Sequence, residues 1–455
     1  MTRTRPPPPS PPPKKSAQKE VKSVVIEGRT YPISPVLDTL FRWMAERHSI
    51  HQKRLAGQPA PWTEDPIFQK HAFTNVFRIY DRVTQYVLHH VVNEGDPDLH
   101  ETCFRVILFR FFCRISTWEL LCSRLGPLTW RGFDRAAYEA VLRDAYEEGT
   151  ALYGTAYIMP APALGGGTNY ANHLRLLQVM MEEDLPGQLA GLSELSDAYY
   201  RIALFPSMGS FLAFQLLLDL NMIPQLSFPE DWAVCGPGAE ACLRKIFGPG
   251  VAGSYGAALK WLQETQGKHF MRLGIAPRAR PRLTPGAPPS LSLIDLEHSL
   301  CETEVYSRAA HPRILDKRTV ISTRRIFSPS PAPLTCTLPA KWTPASVAMR
   351  ARARRERTQP APVDPNDPDP AWVLSHIVQE GEGKGGAPLY QVRYAGYGPE
   401  DDLWCNEDEL DGARELLDDW RAMKARLAAR IAALQAQKAP RPAPARRSSA
   451  RFTST

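Results

Sequence analysis

Proline decides where this chain can be regular. There are 43 prolines in 455 residues. Each lacks a backbone N–H and fixes φ, so clusters of them interrupt helices and sheet interiors alike. The clusters fall over Pro6–Pro13, over 276–290, over 328–370 and from Pro440 onward. What lies between them divides the chain into five parts. A basic, proline-rich arm covers 1–22, and a helical domain covers 23–310. A disordered Pro/Arg-rich linker follows over 311–370, then a small β-patterned domain with an extended helix over 371–437, and a disordered basic tail over 438–455. The expected fold class is mainly α.

In the long second part, a short strand is expected over Val24–Tyr31. Ser34-Pro35 then reads as an N-cap followed by proline at the first helical position. Val36, Leu37, Leu40, Phe41 and Met44 recur at helical spacing. Continuing the pattern places helices over about 35–55, 72–92, 98–125, 131–152, 168–184, 188–203, 208–221, 239–247, 254–266 and 291–308. Eight cysteines occur without any CxxC pair, which excludes a zinc ribbon or thioredoxin-like site and fits a reducing compartment. No apolar run reaches the roughly 18–20 residues that span a bilayer, so no membrane partner is expected. The net charge of +7 is uneven. The arm, linker and tail are basic whereas 371–437 is acidic, a pattern that suits nucleic acid as a partner.

Three constellations in the helical domain carry chemistry. Asn75, Arg78, Arg82 and Gln85, placed on one helix, form a polar stripe of donors suited to bases and phosphates, with Asp81 beside it to order an arginine. Gly236-Pro237-Gly238 precedes a helix of small residues. Gly236 and Gly238 there let backbone approach a phosphate, in a manner that resembles the helix-hairpin-helix of DNA repair proteins. Asp295, His298 and Glu302 share a helix face with Glu297 nearby, a carboxylate–histidine row fit for acid–base work. No metal site and no cofactor is assigned.

Taken together, these stretches resemble the helical domain of 5-hydroxymethyluracil DNA kinases, grouped with α-glutamyl/putrescinyl-thymine pyrophosphorylase-like proteins and likened to helix-hairpin-helix glycosylases. The matching stretches are Trp62–Ile67, Phe73–Gln85, Leu108–Arg110, Thr117–Glu119, Met208–Asn221, Gly236–Ala239 and Asp295–Glu302, in order. The resemblance implies a large all-α domain that binds DNA and recognises or modifies a 5-substituted pyrimidine. The kinases pair it with a phosphate-binding loop, but no GxxxxGK[ST] run occurs here, so kinase activity in this chain is not expected.

The stretch 371–420 is patterned differently. Two β-like runs flank Gly383–Gly386, followed by Gly396-Tyr397, the acidic Glu400-Asp401-Asp402, Trp404 and an amphipathic helix. This order resembles a chromodomain, which implies a three-stranded sheet plus a C-terminal helix and a methylated-lysine histone tail as partner. By the resemblance Trp372, Tyr394 and Tyr397 fall on the cage positions, where aromatic faces surround a quaternary ammonium. Trp404 falls on the residue packing the helix onto the sheet, and Cys405-Asn406 departs from the usual Glu-Pro. Beyond the sheet, Leu416, Trp420, Met423, Leu427, Ile431 and Leu434 continue one apolar stripe that another copy of the helix would fit.

The combined expectation is a nuclear, chromatin-associated protein. Its chromodomain on a flexible tether would address a helical domain that binds DNA and acts as a base-modifying transferase or glycosylase-like enzyme. The alternative is a non-enzymatic chromatin and DNA reader or a mobile-element-associated chromodomain protein.

Overall fold

A computed structural model describes residues 23–154, 159–316, 326–329, 334–350 and 372–437. The N-terminal arm, the arginine-rich part of the linker beyond Arg350 and the C-terminal tail lie outside the described residues. The fold is mainly helical, with strands at both ends. It begins with β1 (Ser23–Ile26) and β2 (Arg29–Pro32), then α1 (Val36–Leu55), α2 (Pro66–Lys70) and α3 (Arg82–Tyr86). Next come α4 (Leu99–Phe112), α5 (Ile115–Leu125), α6 (Arg135–Glu147), α7 (Asn169–Glu182) and α8 (Leu185–Ala190). They are followed by α9 (Leu195–Ala203), α10 (Ser210–Leu220), α11 (Pro237–Phe247), α12 (Tyr255–Arg272), α13 (Leu293–Ala310) and α14 (Pro344–Arg350). The last unit is β3 (Leu374–Glu382), β4 (Pro388–Tyr394), β5 (Leu403–Cys405) and α15 (Arg414–Ala436).

Several helices start where a side chain can satisfy a free N–H. Asp98, Asp134, Thr168 and Asp184 each accept from the first turn of α4, α6, α7 and α8. Ser292 and Asp295 form a reciprocal capping box at α13. The expected single strand over Val24–Tyr31 is instead a hairpin. Glu27 and Gly28 both have positive φ, 46° and 74°, which suits the tight turn between paired strands. The expected helix over 98–125 breaks at Cys113, where φ is 47°.

The larger departure is at 72–92. Residues 72–77 are irregular, Arg78–Tyr80 is a 3-10 turn, and α3 begins only at Arg82. The cause is local. Asn75 donates its backbone N–H to Asp81 Oδ1 at 2.7 Å and its Nδ2 to the Tyr80 carbonyl at 2.7 Å. Side chains that bond nearby backbone compete with the helix ladder. The single stripe expected of Asn75, Arg78, Arg82 and Gln85 therefore does not form.

α13 is the axis of the helical domain. Nearly all of its residues from Leu293 to Ser307 are buried, and it packs against α1, α11 and α12. The linker corrects a second expectation, because residues 334–350 are packed rather than free. Lys341 Nζ donates to Asn221 Oδ1 at 3.1 Å and to the Ile223 and Leu226 carbonyls. Val347 is buried, and Arg350 pairs with Glu230 and, at 3.3 Å, with Asp295.

The small sheet has order β3-β4-β5, all antiparallel. One face, with Ile377, Tyr390 and Val392, packs on Leu410, Leu417 and Trp420. Trp420, not Trp404, seats the helix; Trp404 is 46% exposed and lies over Gly381. The other face carries Arg393, which donates to both oxygens of Asp197 on α9 at 2.9 Å and to Asp402. The unit is thus docked on the helical domain through Arg393, and residues 351–371 of the expected flexible tether lie outside the described residues. The apolar stripe of α15 has an intrachain use as well. Leu427 is buried in the main core with Ile431 and Leu434 against it, and Arg426 and Arg430 reach Glu183. Arg175 caps the helix end through the Leu434 and Gln437 carbonyls. The stripe expected to join two copies is covered.

Removing one partner of a buried charge pair costs about 3–5 kcal/mol. Arg393→Met leaves Asp402 without its guanidinium and Asp197 with His376 as its only ion-pair partner among the described residues, each carboxylate with 3% side-chain exposure. The expected outcome is a stability loss on the order of 3 kcal/mol in urea unfolding; a loss below about 1 kcal/mol contradicts the docking described.

Candidate acid–base site

α13 carries five ionisable groups inside the domain, and their partners come from three other places: α14, α11 with its N-cap, and the 73–81 loop. Asp295 closes its capping box and meets Arg350. Glu297 Oε1 accepts the Gly236 N–H at 2.9 Å. His298 Nε2 lies 3.2 Å from Asp81 Oδ2. Glu302 Oε2 accepts the Thr74 N–H at 3.1 Å. Glu304 pairs with Lys245 at 3.0 Å and with Arg308 at 2.6 Å. Of the acid–base row expected from sequence, His298 and Glu302 converge on the 73–81 loop. Asp295 and Glu297 point to other partners.

That loop and α1 complete the site. Arg47 donates from Nε to the Phe73 carbonyl at 3.3 Å, and burial, opposed by Asp81, lowers its pKa to about 10. His48 and His51 lie one and four residues on. Burial, reinforced by neighbouring arginines, brings them to about 4 and about 3, so both are neutral at neutral pH. His298 behaves oppositely. Burial disfavours its charged form, but Asp81 and then Glu302 outweigh that and raise its proton affinity. One imidazole whose proton affinity is raised by a carboxylate, with a buried guanidinium and a second carboxylate in the same cluster, is an acid–base arrangement. The cluster also holds polar atoms that lack a hydrogen-bond partner among the described residues: Arg47 Nη1, His51 Nε2, Thr74 Oγ1, Asn75 Oδ1 and His298 Nε2, whose 3.2 Å approach to Asp81 is an ion-pair contact without hydrogen-bond geometry. Among the described residues no group of three or more His, Cys, Asp or Glu is arranged to hold a metal ion.

The residues expected to hold DNA have other surroundings. Arg78 reaches Asp219 Oδ1 at 2.7 Å and Gln215, and Arg110 shares Asp219 at 3.2 Å. Gln85 exchanges hydrogen bonds with Thr337, at 2.8 and 2.9 Å, and so holds the packed linker. Asn75, Arg78 and Gln85 are buried and Arg82 is exposed. Gly236 and Gly238 are required by close packing. A Cβ on Gly236 would come within 2.4 Å of Phe211, and one on Gly238 within 2.5 Å of Cys301 Sγ. Their backbone approaches α13 rather than an open phosphate site.

On the sheet unit, the Tyr394 and Tyr397 rings lie edge to face at 6.2 Å, and Trp372 is 40% exposed just before β3.

Arg47, His48, His51, Gln215, Asp219 and Glu230 escaped the sequence reading. Their signal was a charge inside an apolar run, as in Leu216-Leu217-Leu218-Asp219-Leu220. Buried charges are seldom left unpaired.

Two comparisons bear on this arrangement. A family profile described as 5-hmdU DNA kinase, helical domain, matches residues 34–316, the span holding α1, the 73–81 loop and α13. The protein named 5-hmdU DNA kinase of Bacillus phage SP10 is 25% identical over 233 residues, which are 46% of this chain and 36% of that protein. The chain thus spans about a third of that relative's length. No solved structure matches the chain.

Histidines whose folded pKa is depressed contribute stability that is full above the unfolded value and lost as pH falls toward the folded one. With His48, His51, His173 and His269 brought to about 4, 3, 4 and 4, the melting temperature should fall between pH about 6.5 and 4. His298 has the reverse sign. Its contribution is present below the unfolded value and lost as pH rises through its raised folded value. His298→Asn should remove that alkaline loss and leave the acid loss intact; an unchanged alkaline limb contradicts the Asp81–His298 pairing.

Proposed function

Because the chain belongs to the family of the 5-hmdU DNA kinase helical domain, we propose that its helical domain binds DNA and recognises or modifies a 5-substituted pyrimidine. The Asp81–His298 pair carries the reading, with Glu302 and Arg47 around it. His298 would give or take the proton at the base substituent, Asp81 would hold its imidazole charged, and Arg47 would meet developing negative charge. A 5-substituent cannot reach a buried imidazole from inside the stack, so the nucleotide would leave the duplex. Of the residues expected to touch DNA, Arg82 is the exposed one and keeps that role. The lack of a GxxxxGK[ST] run argues for a transfer or cleavage step other than ATP-dependent phosphorylation.

For the small sheet unit the proposal is methyl-lysine peptide binding, and with it a nuclear site of action. It rests on the resemblance to a chromodomain, with Tyr394, Tyr397 and Trp372 as the cage. Docked through Arg393 and Asp197, this unit would hold the helical domain at a fixed position relative to a marked nucleosome.

The full chain should be incubated with DNA containing 5-hydroxymethyluracil or 5-hydroxymethylcytosine and candidate donors, and the nucleosides analysed by mass spectrometry. The expected outcome is a new or lost base, with His298→Gln slowing the reaction on the order of 100-fold while duplex binding holds. Unchanged nucleosides with retained DNA binding would establish the non-enzymatic reader instead. Tyr394→Ala should abolish binding to a trimethyl-lysine histone peptide; equal wild-type binding to the unmethylated peptide contradicts the cage.

A further inference from the structure

A groove of about 990 Å³ opens between α1, α2 and the end of α13. Its size falls at the upper end of ligand sites, which hold about 300–1,000 Å³. The floor is aromatic: Trp43, Phe68 and Tyr306 line it. All three rings touch Phe73, at centroid distances of 6.2, 5.1 and 5.9 Å. The backbone on the far side of Phe73 belongs to the acid–base cluster. The Phe73 carbonyl accepts from Arg47, and the next N–H, that of Thr74, donates to Glu302. Phe73-Thr74 is therefore the partition between an open groove and a buried proton-transfer site.

The polar lining narrows what the groove can take. Arg42 and Lys53 supply positive charge, Lys53 while donating to the Trp62 carbonyl at 2.6 Å, and Glu46, Glu64 and Asp65 stand with them. Mixed charge of that kind does not make a track for a duplex backbone, which needs a continuous run of cations. It does suit a single nucleotide, with one phosphate and one flat ring. Aromatic side chains give such a ring a stacking surface of about 1–3 kcal/mol per base. A second feature points to a ligand. Trp43 is 1% exposed, lines the groove, and its ring N–H has no hydrogen-bond partner among the described residues.

We propose that this groove receives the unstacked pyrimidine nucleotide, with its ring against the half-buried Tyr306, its phosphate toward Arg42 and Lys53, and its 5-substituent toward Phe73, whose displacement would open the substituent to His298. Phe73 is then a positioning residue, since the base edge rests against it while its backbone orders Arg47. The inference deepens the DNA-base reading and rests on it.

The test uses the full chain and 5-hydroxymethyl-2′-deoxyuridine 5′-monophosphate as probe, measured by calorimetry. Ser49→Phe and Gln69→Trp each place a ring in the groove; Ser49 lines its wall and Gln69 sits on its exposed rim. Each should weaken mononucleotide binding at least tenfold with an unchanged melting temperature. Gln69→Trp, at an exposed position, decides the matter should Ser49→Phe fail to fold. No binding by the wild-type chain, or equal affinity in a folded variant, overturns the proposal. A parallel anisotropy titration with an unmodified duplex separates the two readings. Groove-dependent mononucleotide binding without duplex binding sinks the DNA reading and leaves the groove. Duplex binding with groove-independent mononucleotide binding does the reverse.

Discussion

One helix that is covered on nearly every side and still carries five ionisable groups sets the terms for the rest of the structure. Taking an unpaired charge out of water costs several kcal/mol, so each group on α13 must find a partner or lose its charge. The domain supplies partners from three elements. The packed linker brings Arg350 to Asp295, α11 brings the Gly236 N–H to Glu297, and the 73–81 loop brings Asp81 to His298 and Thr74 to Glu302. α11 also brings Lys245 to Glu304. These needs are met by a linker segment that folds back over the domain and by a loop whose irregular backbone the Asn75–Asp81 bond sets.

The same constraint is met unevenly. Glu304 meets Lys245 and Arg308. Arg78 and Arg110 meet Asp219 and Arg78 meets Gln215, while Arg110 Nε and Nη2 have no hydrogen-bond partner among the described residues. The Asp81–His298–Glu302–Arg47 cluster gathers five such atoms in and around it: Arg47 Nη1, His51 Nε2, Thr74 Oγ1, Asn75 Oδ1 and His298 Nε2 have no hydrogen-bond partner among the described residues. A polar cluster left incomplete inside a protein has a use for something that completes it. In the proposed function a reacting group enters at the Asp81–His298 cluster.

Periodicity made the mainly helical class, most helices and the small sheet legible, because apolar spacing reports which face is buried. It could not report charges that are buried in pairs. Asp219 and Arg110 each interrupt an apolar run, and their partners lie 109 residues apart in sequence. The 72–92 helix failed because the Asn75–Asp81 bond is a side-chain event that apolar spacing does not record. His298 and Glu302 were found by helical spacing, whereas Arg47 was missed because nothing in sequence ties α1 to α13. The proline-rich linker read as free because composition carries no trace of the Arg350 and Lys341 sockets. The docking of the sheet unit was not legible for a similar reason, since a polar Arg393 on a strand gives no sign that its partner is Asp197 on α9.

The account stands or falls on the state of one imidazole. With His298 labelled in nitrogen, its side-chain resonances can be followed from pH 5 to 9 in the full chain, alone and with DNA carrying 5-hydroxymethyluracil. The account predicts a titration above the ordinary histidine range, held there by Asp81, that shifts when the modified DNA binds. A titration at or below that range, or one indifferent to the DNA, would contradict it.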